Sequence, residues 1–223
     1  MIFNFFQLTD NDFVQKTIAN INLAFKKELD NGFMDIIVPP NEFYPDLERI
    51  ASQSVGKNTF NDPYERIKWR TKQNYDFSFL MSYSLKRGMY YLQLEDDVVA
   101  KYGCISAIFD FINKQKTNKW LILEFTQLGF IGKLFKTRDL PVFINFFLMF
   151  ATDKPVDWLA DSVFSVKTCD PERGHAHCER SQIGLRARYK PSLFQHVGVQ
   201  SSLKGKTQKL KVNPKTFAFN ILN

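Results

Sequence analysis

The stretch Met89-Tyr90-Tyr91-Leu92-Gln93-Leu94-Glu95-Asp96-Asp97-Val98-Val99 constrains the fold more than any other. Tyr90, Leu92 and Leu94 alternate with Tyr91 and Gln93, the period of a strand. The alternation runs out into three adjacent carboxylates. Upstream, Gly88 stands where a glycine would cap a long helical pattern. Downstream, Ile105, Ile108, Phe109 and Ile112 recur at helical spacing. The triplet is thus expected where a buried strand hands over to a helix. In open α/β sheets the carboxyl ends of the strands form the edge at which ligands bind.

Three neighbouring carboxylates repel one another, and keeping all of them ionised calls for a cation or full solvation. Hard divalent cations such as Mg²⁺ and Mn²⁺ take oxygen ligands. Held by one or two carboxylates, they keep positions open for substrate phosphates. The triplet is therefore a candidate metal–diphosphate site. The competing reading is a helix N-terminus, where Asp is favoured by capping and by the dipole.

In chain order, residues 2–8 read as a strand. Asp10 and Asp12 open a helix with Phe13, Ile18, Ile21, Leu23 and Phe25 as its apolar positions. Met34 to Val38 is a second strand, stopped by Pro39-Pro40. Residues 41–62 are loop-like, with a helical turn at Leu47 and Ile50. Residues 64–87 form a long helix with Trp69, Phe77, Leu80, Met81 and Leu85 inward, and its first turns carry Arg66, Lys68, Arg70 and Lys72. Trp120 to Phe125 is another apolar strand, running into Gly129-Phe130-Ile131-Gly132. Residues 139–150 form an apolar helix, too short to span a membrane. Asp157 to Asp161 starts a further helix, Val163 to Cys169 is strand-like, residues 170–184 are a polar loop, and Arg186 to Tyr189 is a short strand. Lys204, Lys206, Lys209, Lys211 and Lys215 read as a solvated tail. Strands alternating with helices imply a largely parallel α/β sheet flanked by helices. A first strand beginning at the first residues suggests an incomplete chain.

The formal charge of +7 admits nucleic acid, an acidic membrane surface or an anionic substrate. Nucleic-acid bases would need exposed aromatic platforms. The aromatics here follow core periodicity instead, which argues against that partner. The basic patch at 66–72 could instead grip a diphosphate. Cys169 and Cys178 flank a charged loop that also holds His175 and His177. A disulfide, adding about 2–3 kcal/mol in an oxidising compartment, competes with a zinc site and, in the cytosol, with two free thiols. The His-x-His-Cys spacing is cramped for four ligands on one tetrahedral ion, which favours the disulfide. Cys104 reads as a buried thiol. Glu124, in an otherwise apolar strand, needs a partner or a site. Gly129 and Gly132 bracket a turn that could admit a sugar or phosphate.

Four strings together resemble the N-acetylglucosaminyltransferase IV family: Tyr91 to Asp97, Ile122 to Lys133, Lys154 to Leu159 and Arg188 to Gly198; Arg66 to Gln73 also matches. These are alpha-1,3-mannosyl-glycoprotein 4-beta-N-acetylglucosaminyltransferases, and the likeness runs colinearly over roughly residues 7–212. It implies a GT-A glycosyltransferase-like fold, incomplete over residues 1–212, without the first strand and helix of the nucleotide half, followed by a truncated tail at 213–223. It also implies metal-dependent, inverting transfer of GlcNAc from UDP-GlcNAc, in beta-1,4 linkage, to the α1,3-arm mannose of N-glycans on glycoproteins. The location implied is the Golgi lumen, in a family that is membrane-anchored, although this chain carries no anchor.

On the same resemblance, Asp97 and His196 are the metal positions, for a divalent ion with Mn²⁺ foremost. Glu95 and Asp96, with Arg66, Arg70 and Lys72, fall on the donor side, and Gly129 and Gly132 in the acceptor-side loop. Asp157 falls near the position of the base in many inverting GT-A enzymes, with Glu124 in reserve. The alternative is a catalytically inactive member that binds glycan or regulates another glycosyltransferase.

Overall fold

The computed structural model describes residues 2–4, 11–115 and 119–197. The chain opens with a βαβ unit. Strand β1 (Ile2–Asn4) pairs in parallel with β2 (Asp35–Ile37), joined by helices α1 (Asn11–Ala24) and α2 (Lys26–Asp30). The remainder of the expected first strand lies outside the described residues, as do Asp10 and the Lys-rich tail. Helix α3 (Leu47–Ser54) is longer than the single expected turn, and Asp46 caps it by accepting the Arg49 N–H at 3.0 Å.

Helix α4 (Tyr64–Ser84) ends at Ser84, before Leu85, which is exposed. Gly88 lies outside left-handed space and does not cap it. Much of its buried face is polar: Arg70, Thr71, Asn74, Asp76, Ser78 and Ser84 accompany Ile67, Phe77, Leu80 and Met81. Thr71, Ser78 and Ser84 satisfy themselves on carbonyls one turn back, each at 2.7 Å.

The main sheet holds β3 (Tyr90–Gln93), β5 (Ile122–Glu124), β6 (Lys133–Lys136) and β7 (Arg186–Arg188) in the order β3-β6-β5-β7. A separate two-stranded ladder joins β4 (Val98–Ala100) to β8 (Phe194–His196). The main sheet is mixed, which corrects the expectation of a largely parallel one. Strand β6 runs antiparallel to both β3 and β5, while β5 and β7 are parallel. Sequence reading missed β6 because its four residues, Lys-Leu-Phe-Lys, carry two lysines, both of which prove buried. With β6 interposed, β3, β5 and β7 still point the same way, so their carboxyl ends share one edge.

The sheet is covered on both faces, which is why the run from Trp120 to Leu123 leading through β5 is apolar up to Glu124. Tyr91, Ile122 and Phe135 pack under α4, α6 (Leu140–Met149) and α7 (Val156–Thr168), against Phe77, Met81, Phe143, Phe147, Leu159 and Val163. Each fully buried Phe in that layer contributes about 2–3 kcal/mol. Leu92, Leu123 and Leu134 pack on the other face with Ile108 of α5 (Cys104–Asn113) and Phe194. Cys104, a free thiol, is only partly buried there.

Two further expectations change. Val163 to Cys169 is not a strand; it completes α7. Val156, Leu159, Ala160, Val163 and Phe164 are buried at helical spacing, which outweighs the β-propensity of the valines. Residues 170–184 contain a 3₁₀ turn (Pro171–Arg173) and helix α8 (His175–Ser181), whose residues are all at least partly exposed, so no apolar stripe announced it. No helix among the described residues is long and apolar enough to cross a membrane.

Candidate metal and transfer site

The acidic triplet does not pass directly from strand to helix. It crosses from β3 into β4, and β4 pairs with β8 so that Val98 lies opposite His196. The Val197 N–H donates to the Asp97 carbonyl at 2.8 Å and extends the ladder by one step. Backbone pairing thus brings Asp97 and His196 together from distant parts of the sequence. At the end of β3, the Gly132 N–H donates to the Gln93 carbonyl at 2.8 Å, and Tyr91 donates its hydroxyl to Gln93 Oε1. These bonds fix the point at which the triplet leaves the sheet.

Glu95, Asp97 and His196 each offer a ligand atom, and these atoms lie within 4.8 Å of one another. Asp97 Oδ2 stands 2.8 Å from His196 Nε2. That approach lacks hydrogen-bond alignment: His196 Nε2 and Asp97 Oδ1 are both buried without a hydrogen-bond partner. Burial pushes the Asp97 carboxyl above its ordinary value, and Asp96 adds to this while His196 opposes it. Atoms left unsatisfied at such short range are costly unless a further group binds them. Two carboxylates and an imidazole are a donor set for a divalent cation. Asp96, by contrast, is exposed and stands outside the group.

Glu124 lies at the carboxyl end of β5, opposite Lys133 of β6 and Arg188 of β7. Lys133 Nζ donates to Glu124 Oε1 at 2.9 Å and Arg188 Nε to Oε2 at 2.7 Å, while Arg186 Nε is 3.4 Å from Oε1. Burial alone would raise this carboxyl, but the Lys133 hydrogen bond and the neighbouring cations hold it below the ordinary glutamate range. Asp157, in the first turn of α7, goes the other way. Burial raises its carboxyl and Asp161 adds to this, against its hydrogen bond from the Trp158 N–H at 3.1 Å and the charge of Lys133. Lys133 thus lies within electrostatic reach of both candidate bases.

The basic side chains of α4 are engaged within the protein. Arg70 is enclosed, donating from one guanidinium nitrogen to Asp62 Oδ2 at 2.6 Å and from the other to the Thr152 carbonyl at 2.7 Å. Arg66 keeps half its side chain exposed beside Asp62, at 3.4 Å. Lys72 donates to Asp76 at 2.8 Å, and Tyr44 donates its hydroxyl to the same carboxylate. Burial pushes Asp76 up to about 6, against the pull of Lys72 and the Tyr44 hydrogen bond.

Gly129 and Gly132 sit in the β5–β6 connection with φ of +33° and +62°. A Cβ on Gly132 would meet Phe194 Cδ2 and Thr126 Cγ2, each at 3.0 Å, so a side chain there requires both to give way; at Gly129 the space is open. Cys169 and Cys178 form a disulfide tying the end of α7 to α8. Their sulfurs are therefore committed, and among the described residues the Glu95–Asp97–His196 group is where metal-ligating side chains gather. Sequence reasoning missed Lys133, Arg186 and Arg188. The alternation Arg186-Ala187-Arg188 on a strand beside Glu124 was the signal available.

A family model described as the MGAT4 conserved region matches residues 1–214. Alpha-1,3-mannosyl-glycoprotein 4-beta-N-acetylglucosaminyltransferase A of Mus musculus is 48% identical over 202 residues, which are 91% of this chain and 37% of that protein. The B enzymes of Homo sapiens and Danio rerio are each 49% identical over 203 residues, 91% of this chain and 36% of theirs. The chain therefore spans little more than a third of the length of these curated relatives. No solved structure matches it. Matched along nearly its whole length and sharing about half its residues with these proteins, the chain belongs to the family defined by the MGAT4 conserved region.

Proposed function

We propose that this chain forms the metal-binding and transfer core of an inverting GT-A glycosyltransferase. It would move GlcNAc from UDP-GlcNAc in beta-1,4 linkage onto the α1,3-arm mannose of N-glycans on glycoproteins. The observation that carries the reading is the convergence of Glu95, Asp97 and His196 with buried polar atoms left unpartnered. These three residues would hold a divalent cation, Mn²⁺ in our reading, which would supply Lewis acidity against charge on the departing diphosphate.

The acceptor hydroxyl attacks the anomeric carbon as the bond to the UDP oxygen breaks, and its proton passes to a carboxylate. Asp157 suits that role, because a carboxyl raised by burial is the better base. Glu124, held low by three cations, suits positioning instead. Arg66 keeps the exposure a phosphate contact requires, and Asp96 offers a solvent-facing carboxylate to the donor. Lys72 lies beyond Arg66 on α4 and Arg70 supports the site from within; Gly129 and Gly132 shape the acceptor side. The disulfide fits an oxidising compartment, and we place the protein in the Golgi lumen.

Calorimetry of UDP-GlcNAc binding to this chain, with and without Mn²⁺, tests the reading. Binding that requires Mn²⁺ and disappears in Asp97→Ala is expected. Binding indifferent to both metal and mutation would overturn the site.

A further inference from the structure

One exposed feature beside the candidate base has no part in the core. Trp158 follows Asp157 on α7 but faces away from the buried positions Val156, Leu159 and Ala160, and it remains 54% exposed. Its ring meets Phe60, itself 39% exposed, edge to face at a centroid distance of 5.1 Å and an angle of 87°. A single exposed apolar side chain needs no explanation. Two large rings in contact at the surface, next to a carboxyl raised by burial, are a different matter.

The pair is also held rigidly. Phe60 belongs to the loop between α3 and α4, where Asn58 Oδ1 accepts the N–H groups of Phe60 at 3.3 Å and Asp62 at 2.9 Å. Asp62 in turn receives the buried Arg70, which also donates to the Thr152 carbonyl. Asn74 donates to the carbonyls of Ala151 and Lys154, at 2.9 and 3.0 Å. The loop bearing Phe60 and the turn leading to Asp157 and Trp158 are thus clamped to the same stretch of α4. Fixing both rings in advance lowers the ordering cost of whatever binds them.

We propose that Trp158, backed by Phe60, is a stacking platform for a pyranose ring of the acceptor glycan. This inference deepens the proposed transferase reading and rests on it for the identity of the acceptor. One face of a hexose presents C–H groups while its rim presents hydroxyls. An indole plane takes the C–H face, and the rim stays free for hydrogen bonding and for reaction. Because the Trp158 backbone N–H holds Asp157 Oδ1, platform and base share one helical turn, and a sugar seated on the ring has its hydroxyls beside that turn. The clamp also gives Arg70 a role as a positioning residue, acting through Asp62 and Thr152.

The test uses the full chain and an oligosaccharide ending in an α1,3-linked mannose. Dissociation constants come from saturation-transfer NMR and the KM-against-kcat split from transfer kinetics. Trp158→Ala should raise the acceptor Kd and KM about tenfold or more while donor KM and saturated kcat stay within about twofold. Trp158→Phe should stay within about threefold of the parent, and Phe60→Leu should fall between the two variants. An unchanged acceptor Kd in folded Trp158→Ala, or equal losses for donor and acceptor, would overturn the platform. If the parent binds the glycan but transfers nothing, the transferase reading fails while the Kd series still decides the platform. If the folded parent does not bind the glycan, the platform fails whatever the transfer assay shows.

Discussion

Two acidic centres lie toward the same edge of the sheet and are built on opposite principles. Around Glu124, every charge has a counterpart: one buried carboxylate receives Lys133, Arg186 and Arg188. At Asp97 and His196, the atoms converge at 2.8 Å without hydrogen-bond alignment, and buried polar atoms remain unpaired. The Glu124 carboxylate has partners within the protein on both oxygens and can serve as scaffold. The second leaves Asp97 Oδ1 and His196 Nε2 open to a ligand. What separates the two is the carboxylate itself: both Glu124 oxygens accept hydrogen bonds, whereas Asp97 Oδ1 accepts none, although Arg186 Nε beside Glu124 also lacks a hydrogen bond.

Substitutions can break that contrast. Asp97→Ala should reduce GlcNAc transfer by about a thousandfold or more while leaving the thermal midpoint nearly unchanged; calorimetry with scanning and a transfer assay on the same preparation would show it. Equal losses of activity and stability would mean that this centre, too, is scaffold. Glu124→Ala should do the reverse first, costing about 3–5 kcal/mol in urea unfolding, because three cations lose their buried partner.

Acid titration sharpens the same comparison. The Glu124 carboxyl is depressed when folded, so its contribution is present above the unfolded value of about 4.3 and is lost as pH falls through the lower folded value. Asp76, raised to about 6 by burial, has the opposite sign. Its contribution is full below about 3.9 and is lost as pH rises through its folded value. Urea unfolding from pH 3 to 7, a range of about four units, should show Asp76→Asn flattening the upper decline and Glu124→Gln removing the acid-side loss. A smaller effect separates the two loop glycines. Gly132→Ala should cost about 1–3 kcal/mol, since its Cβ meets Phe194 and Thr126 at 3.0 Å. Gly129→Ala should cost only about 1 kcal/mol, from its positive φ alone.

Much of the scaffold was legible because apolar periodicity reports burial. Phe77, Leu80 and Met81 on α4, and Phe143, Ile144 and Phe147 on α6, face inward as their spacing requires. The acidic turn after β3 and the family resemblance pointed to the triplet. What escaped was the polar interior. Lys133 and Lys136 are buried charged residues, and a hydropathy pattern reads them as surface, so β6 vanished and with it the mixed character of the sheet. The inward Arg70 and Asn74 were hidden because polar residues read as surface and because their carbonyl partners, Ala151, Thr152 and Lys154, are distant in sequence. The pairing of β4 with β8 left no local trace either, being set by tertiary closure.

That ladder bears on the order in which the molecule matures. Val98 and His196 are roughly a hundred positions apart, whereas β3, β5 and β6 find one another over much shorter spans. Closing the longer loop costs only about 1 kcal/mol more entropy than joining β3 to β6, but such long-range pairing tends to form later. On a ribosome, the acidic turn emerges roughly a hundred residues before the strand that brings His196 to it. The layer of α4, α6 and α7 can therefore pack before Asp97 and His196 meet, and the candidate site closes together with the core around Phe194 when β8 pairs with β4.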